Sequence, residues 1–278
     1  MRRSLVLILP AAVPTALVLG VGLTMVVGQS LGLVPVVGQA RPSLDAYRDA
    51  VSTERLGSSL LLSLSIATAA TVLALTVGLA TALAVRATRV GGRILSGLAA
   101  LTIPVPHLIG AAAIGLLLSD SGMIARLTGA APGEFPQIVA GPWWAAVVLE
   151  FGWKESAFVA LVVVSVLASN ADQLDETAAV LGAGPWSRLR YVTLPLAAPG
   201  LLIAGAVSFV YVLGSYEVAW LLGRAYPEPL PVLAYRLFTS TDLTARPEAL
   251  AVATITVLVC AIVGAGALPA VRRSMGPV

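Results

Sequence analysis

Charge is scarce in this chain of 278 residues. Only 11% of its residues are charged, and it holds one histidine, one cysteine and one lysine; a soluble domain carries roughly a quarter charged residues. Each shortage excludes a class of chemistry. A single cysteine, Cys260, permits no intrachain disulfide, and its place in an apolar run suits it to packing as a small hydrophobe. A single histidine, His107, rules out the H-E-x-x-H zinc motif. The lysine, Lys154, follows Trp153 rather than glycine, so the chain has no G-x-x-x-x-G-K-[ST] loop for ATP phosphates. No catalytic residue, cofactor or metal is expected.

Apolar residues make up 58% of the chain. They fall in runs long enough to cross a bilayer core, which takes about 20 helical residues. The fold class is therefore all-α, a polytopic transmembrane helical bundle. The pI near 9.3 arises from arginines at the ends of the apolar runs, a distribution that suits membrane surfaces and gives no reason to expect nucleic acid.

Six spans are predicted, at residues 5–28, 58–85, 94–118, 143–169, 200–222 and 248–269. Pro10, Pro14, Pro104 and Pro106 lie in or near them and predict kinks or breaks, tolerated where neighbouring helices satisfy the freed carbonyls. Small-residue runs, GAAAIG at 110–115 and GAGA at 264–267, permit close helix packing. The N-terminus starts with Arg2 and Arg3, as a signal peptide does. Its apolar run exceeds the about 7–15 residues of such a peptide and no A-x-A site closes it, so a retained first helix is expected.

Arginine sets the orientation. With the N-terminus in the cytoplasm, the segments on that side hold nine arginines (2, 3, 86, 89, 93, 188, 190, 272, 273) against three acids (172, 175, 176). The outer loops hold seven arginines against eight acids. This is the positive-inside bias, and it places both termini in the cytoplasm.

Residues 170–195, NADQLDETAAVLGAGPWSRLRYVTLP, interrupt this pattern on the cytoplasmic side. Asn170 with Gln173 fits a capping box. Asp172, Asp175 and Glu176 crowd the first turns, where the helix dipole favours negative charge. Leu174, Ala178 and Leu181 make one apolar stripe. Gly182 and Gly184 stop this helix, and Pro185 suits the first position of another. The second helix carries Trp186, Leu189 and Val192 on one side, with Arg188 and Arg190 toward its end, and Pro195 is expected to terminate it. Two short helices on a glycine hinge suit a docking element; a structured loop covering the base of the bundle has the same pattern.

Within this stretch, Glu176-Thr177-Ala178, then Gly182, then Val192-Thr193-Leu194-Pro195 resembles the EAA signature of ABC-importer permeases. That signature is E-A-A, three residues, G, nine residues, I-x-L-P; here Thr177 replaces an alanine and Val192 the isoleucine. Leu181-Gly182-Ala183 is similar to the sulfate, iron, thiamine and polyamine branches. The resemblance covers most of residues 58–270 and implies a type I permease fold. It also implies that Glu176, Ala178, Gly182, Ala183, Pro185, Arg188 and Pro195 form a coupling helix that docks on a separate ATPase. The implied partners are two copies of that ATP-binding subunit, a second permease subunit (a copy or a related chain) and an extracytoplasmic solute-binding protein, in the inner membrane with its lipid.

Ionisable residues inside spans are functional candidates. Glu150 and Lys154, at i and i+4, are expected to form an ion pair, with Glu155 beside them. His107 is expected to be a packed or interfacial residue. Ser208, Tyr211 and Ser215, with Glu217 nearby, form a polar stripe that either lines a translocation path or knits the bundle. Arg224, seven residues beyond Glu217, is a possible partner for it. Residues 1–57 would be an N-terminal transmembrane helix and outer loop, and 58–278 a five-helix permease core carrying the coupling loop 170–199. The expected function is import of a small, polyamine-like solute. The alternative is an ion-gradient-driven secondary transporter, a class that often shows repeated halves with broken helices; here the EAA pattern occurs once and no clear repeat is seen.

Overall fold

Every regular element among the described residues is helical. The structure is a computed structural model and describes residues 2–52, 54–131, 133–168 and 171–274. Among the described residues, five helices are long and apolar enough to cross a membrane, and a sixth span is reached when Ala145–Leu167 and its bent continuation Ala171–Val180 are taken as one.

The chain divides into two units. The first comprises residues 1–60 and 229–258. It holds α1 (Arg2–Ser30), the short α2 (Asp45–Ser52), the start of α3 (Glu54–Ala87), α12 (Leu230–Phe238) and the first part of α13 (Arg246–Ser274). Its core gathers Ala50, Leu230, Leu233 and Val252, with Leu56, Leu60 and Leu237 packed against them. The Ser30 and Tyr47 hydroxyls meet at 2.8 Å. Helix α1 runs unbroken through Pro10 and Pro14 and leaves apolar side chains such as Leu17 and Val18 exposed. An apolar surface of that extent is stable in lipid and not in water.

The second unit comprises residues 61–228 and 259–278. Its centre is α7 (Ala145–Leu167), which packs against α4 (Arg89–Thr102), α5 (His107–Leu118), α10 (Leu194–Gly214) and α11 (Glu217–Leu222). Val159, Val163 and Leu167 of α7 are buried with Ala74 and Ala82 of α3 and Ala197 and Ala204 of α10. Small residues dominate this contact, as dispersion-driven packing inside a bilayer requires.

Two expected spans differ from the structure. The span placed at 94–118 is broken into α4 and α5, and the helix able to cross is His107–Thr128, which includes α6 (Met123–Thr128). Pro104 and Pro106 cause the break, because neither offers an N–H and each disfavours helix in the residue before it. The span placed at 200–222 begins earlier, in the continuous helix Pro185–Gly214 whose α10 part starts at Leu194, and ends at Gly214. Ser215 is extended (φ −83°, ψ 137°), and α11 is a separate short helix.

Candidate functional site

Residues 171–193 fold as a hook. Helix α8 (Ala171–Val180) ends on Gly182, whose φ of +86° lies in the left-handed region that glycine enters without strain. The Gly182 N–H donates to the Ala179 carbonyl at 3.0 Å, and the Ala183 N–H to that of Ala178 at 2.9 Å. This is a Schellman closure, which satisfies the last carbonyls of the helix. Gly184 then caps α9 (Pro185–Arg188), with Pro185 at its first turn. The expected glycine hinge and proline start are both present. Asn170, the expected cap of α8, lies outside the described residues.

Pro195 does not end the second helix. A π-helical turn, Leu189–Thr193, carries the chain from α9 straight into α10, with Pro195 in the first turn of that helix. The wider turn absorbs the missing N–H and the bulk of the proline ring, which in an α-helix would strike the carbonyl four residues earlier.

Two ion pairs set the hook. Arg188 Nη1 donates to Asp175 Oδ2 at 2.7 Å and ties α9 to α8. Arg86, at the end of α3, donates to Asp172 at 2.5 Å. The expected apolar stripe does not pack on this chain: Leu174 and Leu181 are exposed, and so are Val180, Trp186 and Tyr191. Glu176, Pro185 and Pro195 are exposed as well, while Ala178, Ala183 and Arg188 are half-buried. The hook is therefore a fixed shape that presents aromatic and aliphatic groups outward.

A second constellation lies between α5, α7 and α10. Glu150 and Lys154 do not form the expected ion pair. Glu150, fully buried, faces His107, whose Nδ1 stands 3.2 Å from Oε1. Gly110 makes room for this carboxylate, since a Cβ there would meet Oε1 at 2.8 Å. Lys154 turns the other way and donates from Nζ to the carbonyls of Thr102, at 2.6 Å, and Val105. The proline break supplies the reason. Carbonyls freed inside a membrane demand donors, and the C-terminal end of α4 carries partial negative charge that attracts an ammonium.

His107 is packed as expected, but between carboxylates: its Nε2 lies 3.6 Å from Glu155 Oε1. The Tyr211 and Phe151 rings flank it, with centroids 5.0 and 5.6 Å away. Ser208, fully buried, donates to Glu155 Oε2 at 2.5 Å and so knits α10 to α7. Tyr211 stays exposed on one side, and Ser215 and Glu217 are half-buried at the break between α10 and α11. The polar stripe thus divides into a structural tie and a more open end. Arg224 does not pair with Glu217, because α11 stops at Leu222 and Gly223 is extended, so no two-turn helix joins them. Glu155, in sequence only a neighbour of Glu150 and Lys154, joins both His107 and Ser208, a role that no spacing in the sequence marks.

Comparison with known proteins agrees with this arrangement. A family model described as the binding-protein-dependent transport system inner membrane component matches residues 74–276. The molybdenum transport system permease protein ModB of Azotobacter vinelandii is 27% identical over 190 residues, 66% of this chain and 80% of that protein. A solved bacterial ABC transporter involved in import of the acidic polysaccharide alginate superposes with a TM-score of 0.77, at 18% identity, over 96% of this chain and 94% of that one. A second structure of a bacterial alginate ABC transporter, in complex with an alginate pentasaccharide-bound periplasmic protein, gives 0.75 at 18% identity over 97% and 94%. With the family model covering most of the sequence and the helices arranged as in these importers, the chain belongs to the binding-protein-dependent transport system inner membrane components and is a multi-pass permease subunit of an ABC importer.

Proposed function

We propose that the hook at 171–193 is the docking element through which this permease receives the work of a separate ATPase. One observation carries the reading: Leu174, Val180, Leu181, Trp186 and Tyr191 are exposed on a segment fixed by two ion pairs and a Schellman turn. An apolar surface that the described residues leave uncovered fits a cleft on another subunit. Glu176, Ala178, Gly182, Ala183, Pro185, Arg188 and Pro195 are the residues assigned to it. Two ATPase subunits, a second permease subunit and an extracytoplasmic solute-binding protein complete the assembly, with both termini of this chain in the cytoplasm. ATP-driven closure of the ATPase pair then shifts the helices as rigid bodies.

The path for solute runs past Tyr211, Ser215 and Glu217. Ser208, occupied by Glu155, positions that wall. The carboxylate of Glu217, at the open end of the stripe, favours a positively charged, polyamine-like solute. The relative named for molybdenum transport supports a second reading, a cargo like that relative's own. Purified binding protein titrated with spermidine and with molybdate separates the two. Tight binding of spermidine alone supports the first, and binding of molybdate alone replaces it. The importer itself is tested by reconstituting the permease with its ATPase and binding protein in vesicles. Uptake must require ATP and all the subunits.

A further inference from the structure

The lone lysine of this chain sits in an uncommon place. Lys154 is 5% exposed, within an apolar helix, and one turn after a carboxylate that it does not use. Its ammonium instead reaches carbonyls 52 and 49 residues earlier in the chain. The hydrogen bonding of the break explains why those atoms need it. The Val105 N–H reaches the Thr102 carbonyl at 3.3 Å, a long contact. The Ile109 and Gly110 N–H groups both go to Pro106, at 3.0 and 3.1 Å, and neither serves Val105.

The far side of the break is held by the same helix. His107, the first residue of α5, faces Glu150 and Glu155. Three polar residues of α7, at 150, 154 and 155, thus grip positions 102, 105 and 107. They cover the end of α4, the break and the start of α5. Only residues 168–170 separate α7 from the first helix of the hook.

We infer that Lys154 is a positioning residue for transport, fastening the proline break to α7 so that α4, the break and α5 travel with the helix that leads into the hook. This inference rests on the importer reading for its functional half; its structural half stands without it. An i, i+4 ion pair with Glu150 would need no tertiary structure at all. Lys154 forgoes it for two backbone oxygens, which ties segments that the prolines would otherwise leave hinged.

The experiment compares Lys154→Met and Lys154→Arg in the natural background and in a Pro104→Ala/Pro106→Ala background. Alanine at 106 restores an N–H for the Thr102 carbonyl, and without the prolines the helix can continue so that the Ile109 N–H serves Val105 instead of Pro106; the carbonyls then no longer depend on the ammonium. In the natural background, Lys154→Met is expected to lower solute taken up per ATP hydrolysed by about tenfold, a size typical of coupling between sites. ATPase co-purification should persist, and Lys154→Arg, which still offers donors to both oxygens, should recover most of the ratio. An unchanged ratio in Lys154→Met overturns the transport role. Where Lys154→Met instead lowers abundance several-fold, the alanine background decides. Recovery of abundance there supports the lysine–carbonyl clamp, and an equal loss in both backgrounds overturns it. Wild-type protein that neither binds an ATPase nor transports would remove the importer reading while leaving this abundance comparison valid.

Discussion

Arg188 and Asp175 meet at 2.7 Å across the hinge of the hook, 13 residues apart in sequence. The pair is partly shielded from solvent, with side chains 27% and 31% exposed. It fixes the angle at which Trp186 is offered relative to Leu174 and Leu181. Arg188→Ala and Asp175→Asn should each weaken ATPase binding, and the double variant should lose little more than either alone. A coupling energy of about 1 kcal/mol is expected from such a pair. Additive losses in the cycle would mean that the two residues act separately.

Gly182 offers a graded test of the same turn. A Cβ at this position would meet nothing within 4 Å, so a substitution acts through the backbone alone. Left-handed geometry costs an ordinary residue roughly 1–2 kcal/mol, and asparagine less. Gly182→Asn should therefore retain more ATPase co-purification than Gly182→Ala, and Gly182→Val should retain least. Membrane insertion should be equal in all three. Any other rank order argues against the turn as the controlling feature.

Glu176 is exposed and makes no ion pair among the described residues. Glu176→Lys should leave abundance intact and impair docking, through like-charge repulsion if the ATPase cleft presents basic groups. Pull-down at several salt concentrations reads this directly, because a screened repulsion weakens as salt rises.

The orientation has its own test. Single cysteines at Asp45, Ala130 or Ser240 in a Cys260→Ser background should react with an impermeant thiol reagent from outside intact cells. Cysteines at Val90 or Ser187 should be protected. The reverse pattern would put the hook on the outer side and end its assignment as an ATPase contact.

Glu217 has lost its structural rival, since Arg224 does not pair with it. Glu217→Gln should keep normal abundance and assembly while uptake of a positively charged solute falls. Lost abundance would assign Glu217 to the fold instead. Unchanged uptake with unchanged abundance would make it a residue that only reaches water.

The hook was legible because its punctuation is local. Gly182, Gly184 and Pro185 act within one or two turns, and their conformations follow from their own covalent structure. The break at Pro104 and Pro106 was legible only in part, since the span placed at 94–118 ran across it and Pro10 and Pro14, flagged by the same rule, sit in an unbroken α1. Pro195 misled because its effect depends on the turn before it, and a π-helical turn lets a helix pass a proline that an α-helical turn would not. The partners of Glu150 and Lys154 were hidden for a different reason. Sequence spacing puts them side by side, but their choice is made by a histidine and two carbonyls brought in by other helices. Nothing local to residues 150–154 records that choice.

The burial of Lys154 also decides what reagents find on this molecule. Lys154 is the only lysine and it is buried, so the folded chain offers no surface lysine. Apart from reaction at an α-amino group, amine-directed cross-linkers applied to the assembled importer would find no accessible lysine on this subunit and would join its partners to one another through their own lysines. Label arriving at Lys154 would then mark the moment when α7 parts from the proline break, a built-in clock for the opening of the bundle.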